Sequence, residues 1–193
     1  MKNEKLKGKD LINIGIFSAM YFIIIFAIAM LGYIPIFMPL ICVIAPLIGG
    51  LPFMLFLTKV KKFGMILIMS LIMGIMMLLT GMGYYSILVG AVSGLIAEMI
   101  YKNGGYQSAG KAVLTHGVFS IWIWGNFVPF FTNIDQYFST RQDYGQEYIE
   151  TLTSLMPLWM CPVLILACFI CGILGGLIGK SVMKKHFVKA GIV

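Results

Sequence analysis

Two ionisable side chains, Glu98 and His116, fall inside long apolar runs of this sequence, each a turn or two from the charged residues that bound its run. A charge at membrane depth is costly, which makes such residues candidates for function by default. Lying near the same boundary, they form a candidate coupling pair for a proton or an ion, with Glu98 as a plain boundary residue beside Lys102 the competing reading. Further along the run of His116 comes Trp122-Ile-Trp124-Gly-Asn126, where α-helical spacing puts residues 122 and 126 on one face and turns 124 away. Trp122 offers a stacking surface with one N–H donor, and Asn126 offers a donor and an acceptor. Together they suit a flat, heteroatom-bearing ligand. The competing reading is an interfacial aromatic belt with a helix–helix hydrogen bond from Asn126. Tyr84, Tyr85 and Trp159, with Tyr33, fall toward the same end of their runs and join either that belt or the rim of the pocket.

Other chemistries lack their residues. The stretch 171–181 ends in Gly179-Lys180-Ser181, as a phosphate-cradling loop does, but the first glycine of that loop would fall at position 174, which is Leu174. What the glycines satisfy is Gly172-xxx-Gly176 and Gly175-xxx-Gly179, spacings that let membrane helices approach closely, with Lys180 reaching to the interface. No nucleophile elbow, zinc-protease motif or intramembrane carboxylate pair occurs, so neither an enzyme nor a cofactor is expected. Cys168-x-x-Cys171 lacks the other half of a zinc site, and with Cys42 and Cys161 it lies in apolar runs, so buried thiols and no metal are expected.

The elements that position these residues follow from composition. Of 193 residues 60% are hydrophobic and 11% charged, against roughly half and a quarter in a soluble domain, which makes this an all-α integral membrane protein of the cell membrane. Apolar runs predict six transmembrane helices in one domain, at about 10–31, 34–57, 63–82, 84–101, 110–131 and 156–180. A single helix over 63–101 would be about 58 Å long, nearly twice the hydrocarbon thickness, so Gly81 to Tyr85 must mark a reversal. The first run is too long for a signal-peptide core and is read as a retained span.

The lysines test this count. Fourteen residues are Lys or Arg and the one arginine is Arg141, leaving thirteen lysines. Six spans put all thirteen, from Lys2 to Lys189, on one side, so both termini are cytoplasmic. The net charge of +7 is then topology rather than a nucleic-acid surface, which would cluster arginines on one folded face. On the opposite side lie two short turns and a cap at 132–155 carrying Asp135, Arg141, Asp143, Glu147 and Glu150, the one extramembrane piece large enough for a lid. Pro35, Pro39, Pro46 and Pro52, with Gly49-Gly50, predict bends in the second span, and broken helices in membranes often border transport sites. Small-residue faces recur at Gly15-xxx-Ala19 and Ser86-xxx-Gly90-xxx-Gly94. Gly15, Ser18 and Ala19, close to the cytoplasmic side, form a candidate partner-docking face.

Six short spans, both ends inside, a basic N-terminus leading through Lys7-Gly-Lys-Asp into Gly15-Ile-Phe-Ser18-Ala19, and a basic tail resemble the S components of energy-coupling factor (ECF) transporters, above all the Trep-Strep group, over essentially the whole chain. The resemblance implies a subunit that captures a vitamin-like micronutrient near the outer face and topples in the bilayer to release it inward. A transmembrane T component and two ATPases would supply the coupling. It also implies docking through the first helix, where the family's Ala-xxx-Ala is matched here by Gly15 and Ala19. Two other readings stand beside it. In a stand-alone secondary transporter or channel Glu98 and His116 would carry protons or ions, and in a membrane scaffold the glycine faces would only organise partner helices.

Overall fold

A computed structural model describes residues 5–139, 141 and 144–190, so Lys2 and Asp143 lie outside the described residues. Ten α-helices occur among them, with no strand. They are α1 (Gly8–Ala29), α2 (Phe37–Leu57), α3 (Met65–Leu79), α4 (Tyr85–Lys102), α5 (Ala109–Phe119), α6 (Val128–Thr132), α7 (Ile134–Ser139), α8 (Gln146–Leu155), α9 (Met160–Val182) and α10 (Lys184–Ala190), with 3-10 segments at Met30–Tyr33 and Ser120–Asn126. Four of these, Gly8–Tyr33, Phe37–Leu57, Tyr85–Lys102 and Met160–Val182, are long and apolar enough to cross a membrane. The predicted third span is the shorter apolar helix α3, and the predicted fifth is composite, α5 running into the 3-10 segment and then α6.

Contact registers fix the directions. Ser70 meets Gly90 and Gly94 while the Ile66 amide meets Glu98, so α3 and α4 are antiparallel. Between them Gly81 and Gly83 carry φ of +84° and +86°, left-handed values that glycine adopts without strain, and here the chain reverses as expected. Tyr21 against Gly49 and Phe53, and Phe17 against Phe56, make α1 and α2 antiparallel. Val113 against Gly176 and Ser120 against Gly172 do the same for α5 and α9. Pro46 and Gly50 against Gly175 and Gly179 make α2 and α9 parallel. Helices α2, α4 and α9 thus run toward one end, and the lysine-bearing loops gather there: Lys62 pairs with Asp10 at 2.8 Å and Lys102 lies over the Phe63 ring at 4.9 Å.

The glycines of α9 explain how the bundle closes. Gly175 and Gly179 face α2, and a methyl group at Gly50 would lie 2.1 Å from the Gly175 carbonyl oxygen. Gly172 and Gly176 turn instead to Gly117, Ser120 and Val113 of the α5 side. Both small-residue spacings of the Gly-Lys-Ser stretch are therefore spent inside the bundle, wedging α9 between α2 and α5.

The interruption of α-helix in the membrane core lies outside the second span, whose prolines predict bends. Helix α2 continues through Pro46, Gly49, Gly50 and Pro52, the glycines serving close approach to Tyr21 and α9. The α-helix gives way after Phe119 instead. The Ser120 hydroxyl donates to the His116 carbonyl at 2.8 Å, a back-bond that bends helices, and Pro129 has no N–H to offer the Gly125 carbonyl. Gly125, packed where a methyl group would meet the Ser86 Cα at 2.8 Å, lets the tightened segment lie against α4.

Candidate functional site

The tightened segment changes which side chains converge. A cavity of about 100 Å³ opens at the end opposite the lysine loops, between the ends of α1 and α3, the start of α2 and the 3-10 turn. Trp122 and Asn126 both line it, and so does Ile123, because a 3-10 helix repeats every three residues. Trp122 is wholly buried. Its ring lies 6.4 Å from that of Tyr21, yet no hydrogen bond of normal geometry joins the indole N–H to the Tyr21 hydroxyl, and both polar atoms are buried without a partner. Asn126 Nδ2 donates to the Ile123 carbonyl at 3.0 Å, while Oδ1 is buried and unpartnered. Trp124 turns away, as its spacing predicts, into a lateral apolar groove along α4.

The cap over this cavity is built by aromatic packing. Tyr137 of α7 and Leu152 of α8 are buried, and Tyr144 stacks on Tyr148 at 4.2 Å between centroids with planes 12° apart. The Tyr148 hydroxyl donates to the Gly32 carbonyl, tying α8 to the turn that follows α1. Burial and the neighbouring Tyr144 push the Tyr148 hydroxyl well above the usual tyrosine range, so it stays a neutral donor. Tyr137, Arg141 and Tyr144 of this cap line the cavity. Sequence reasoning placed Arg141 in a lid without assigning it to the pocket. The signal was there, since it is the one arginine of the chain.

The remaining candidates lie elsewhere. Tyr84 and Tyr85 stack on each other at 4.5 Å and line a second, outer recess of about 150 Å³ that shares Met82, Tyr137 and Arg141 with the cavity. Trp159 is 65% exposed and lines neither space. Glu98 and His116 are both buried, but each is bonded to a different helix. Glu98 Oε2 accepts from the Ile66 and Leu67 amides at 2.8 and 3.3 Å, capping the N-terminus of α3. His116 Nδ1 lies 2.6 Å from the Gly172 carbonyl on α9, the geometry of a donated N–H. On α1, Gly15 and Ala19 are exposed with Ile12, Ile16 and Ile23, and a methyl group at Gly15 would meet nothing within 4 Å. Ser18 departs from that face. It is buried, because three residues from Gly15 the helix has turned it toward the core. All four cysteines are free thiols, and among the described residues no group of three or more His, Cys, Asp or Glu comes together to hold a metal.

The model of a family described as hypothetical bacterial integral membrane proteins (Trep_Strep) matches residues 8–189. No curated protein and no solved structure matches the chain.

Proposed function

Because the chain belongs to the Trep_Strep family of bacterial integral membrane proteins and is a multi-pass membrane protein, we propose that it is the substrate-binding S subunit of an ATP-driven ECF-type micronutrient importer. The observation that carries this reading is the cavity at the end away from the lysine loops, covered in part by Tyr137, Arg141 and Tyr144 of the cap and lined by Trp122 and Asn126, each of which has a buried polar atom without a partner. A soluble ligand is what such an arrangement is built to take. In this reading six passes cross the bilayer with both termini cytoplasmic. Helix α3 and the composite fifth segment complete the count, α5 and its 3-10 continuation together reaching about 30 Å. The lysine end then faces inward and the cavity outward.

Capture begins with the cap raised and ends with α8 clasped to Gly32 and the Gly81–Tyr85 turn drawn in beside it. Release follows toppling of the whole bundle, driven by two ATPases through a T component that docks on the exposed Gly15 and Ala19 face of α1. The chain's own lack of a phosphate-binding loop accords with energy supplied by other subunits, and no catalytic role is assigned to it. A stand-alone proton-coupled transporter is less well supported, since Glu98 caps α3 and His116 bonds α9 rather than forming a relay.

The test is to purify the chain from cells in rich medium and identify bound small molecules by mass spectrometry, beside a Trp122→Ala, Asn126→Ala double variant. A compound present in the wild type and lost from the variant is expected. No compound in either would count against capture and favour the scaffold reading.

A further inference from the structure

Size is the puzzle of the site, and the inference rests on the capture reading above. Pockets for small molecules measure roughly 300–1,000 Å³. The cavity holds about 100 Å³ and the outer recess about 150 Å³, so neither alone houses a vitamin-sized compound. The two share a wall of three residues, Met82, Tyr137 and Arg141. Two of these are fixed to each other: Tyr137 is buried in the cap, and Arg141 donates to its carbonyl at 2.6 Å and sits 3.9 Å over its ring. Met82 comes from the opposite side, from the turn between α3 and α4, and its sulfur lies 3.4 Å from Arg141 Nη2. A thioether is a weak acceptor on a side chain with three rotatable bonds, so this contact yields easily. The turn gives it room. Gly81 and Gly83 flank Met82 with left-handed backbone, and a methyl group at either would meet nothing within 4 Å.

The two spaces also differ in lining. Phe26 and Met30, both exposed, and Met38, half-buried, line the cavity and not the recess. Tyr84 and Gln136, both exposed, line the recess and not the cavity. An apolar group is favoured in the first space, and a polar one keeps hydrogen-bond partners and water in the second. We propose that cavity and recess are two lobes of one substrate site, parted by the Met82 side chain. The site takes an elongated compound whose apolar end passes Met82 into the cavity while its polar end stays in the recess.

The first test needs no ligand. Met77 lines the cavity and not the recess, and is 5% exposed. Full chains carrying Met77→Cys, with Met82 retained or changed to Ala or Trp, are held in lipid nanodiscs and treated with 2-sulfonatoethyl methanethiosulfonate, an anion that does not enter lipid. Mass spectrometry times the labelling of the peptide that holds position 77, and thermal melts identify the folded variants. Met82→Ala is expected to speed labelling at least tenfold and Met82→Trp to slow it at least tenfold, so either one decides if the other does not fold. Labelling that no folded variant moves in its expected direction overturns the joined site. The compound extracted from chain purified from growing cells then tests the ligand. One apolar and one polar end on a molecule too long for the cavity uphold the assignment. A compact compound that the cavity alone accommodates, or one polar throughout, overturns it while leaving capture intact. Finding no compound overturns both.

Discussion

The two ends of the bundle are made differently. At the lysine end, helices meet backbone to backbone and the polar groups are used for joining: Glu98 caps α3, Lys62 pairs with Asp10, and the Tyr101 hydroxyl donates to the Leu57 carbonyl at 3.2 Å. At the other end the helices splay around a cavity, α5 tightens into a 3-10 turn, and three short helices form a roof of aromatic side chains. Buried polar atoms without a partner occur at both ends, Glu98 Oε1 and the Tyr106 hydroxyl near the lysine loops and Asn126 Oδ1 and Trp122 Nε1 at the other, but only the latter two belong to residues that line the cavity. The difference teaches that close helix packing and the cavity are kept apart along the length of the bundle. One end is a close-packed stem that carries the other.

The largest effect expected is from breaking the stem. Gly50→Leu puts a side chain where even a methyl group lies 2.1 Å from the Gly175 carbonyl oxygen, and backbone cannot rotate aside. Overpacking of this kind costs more than about 3 kcal/mol when nothing can yield, so no folded protein should survive extraction, as size-exclusion chromatography would show. A mild change in melting temperature would mean that α2 and α9 are not so tightly joined.

A smaller effect separates joining from coupling at the same end. Glu98→Gln retains an acceptor for the Ile66 and Leu67 amides and should shift stability by about 1 kcal/mol or less, whereas Glu98→Ala leaves buried amides unpaired at a cost of about 1–3 kcal/mol. Thermal melts of the two variants in detergent would measure this order. Transport abolished by Glu98→Gln in a fully stable protein would instead make the carboxylate a coupling group.

The smallest effect on folding belongs to the roof. Tyr148→Phe removes one hydrogen bond to Gly32, about 1 kcal/mol of stability at most, but it should speed exchange of the bound compound severalfold if α8 is the clasp. Stopped-flow fluorescence would detect the change. An unaltered exchange rate would mean that the cap opens elsewhere.

How much of this was written in the sequence depends on the kind of signal. The alternating direction of the helices followed from lysine clusters and from Gly81 to Tyr85, because charge position and a left-handed glycine turn act locally. The facing of Trp122 and Asn126 also came from spacing alone, although the true local geometry is 3-10 and adds Ile123. Ser18 was grouped with Gly15 and Ala19 because it is small, whereas its position on the helix turns it into the core. Which glycine meets which helix could not be read, since the spacing of Gly172, Gly175, Gly176 and Gly179 serves two neighbours at once. In α2 it is Gly49 and Gly50 that mark close approach to other helices, while the α-helix gives way at the stretch that holds Ser120, Gly125 and Pro129.

The most direct test of the account is uptake into sealed vesicles of the compound found bound to the purified chain. The chain would be assayed alone and together with a T component and two ATPases, with Gly15→Leu in parallel. Because Gly15 has open space around it, that variant should fold and bind as the wild type does. The account predicts uptake only with the full assembly and ATP, reduced at least tenfold by Gly15→Leu. Uptake by the chain alone, driven by an ion gradient and indifferent to ATP, would contradict it.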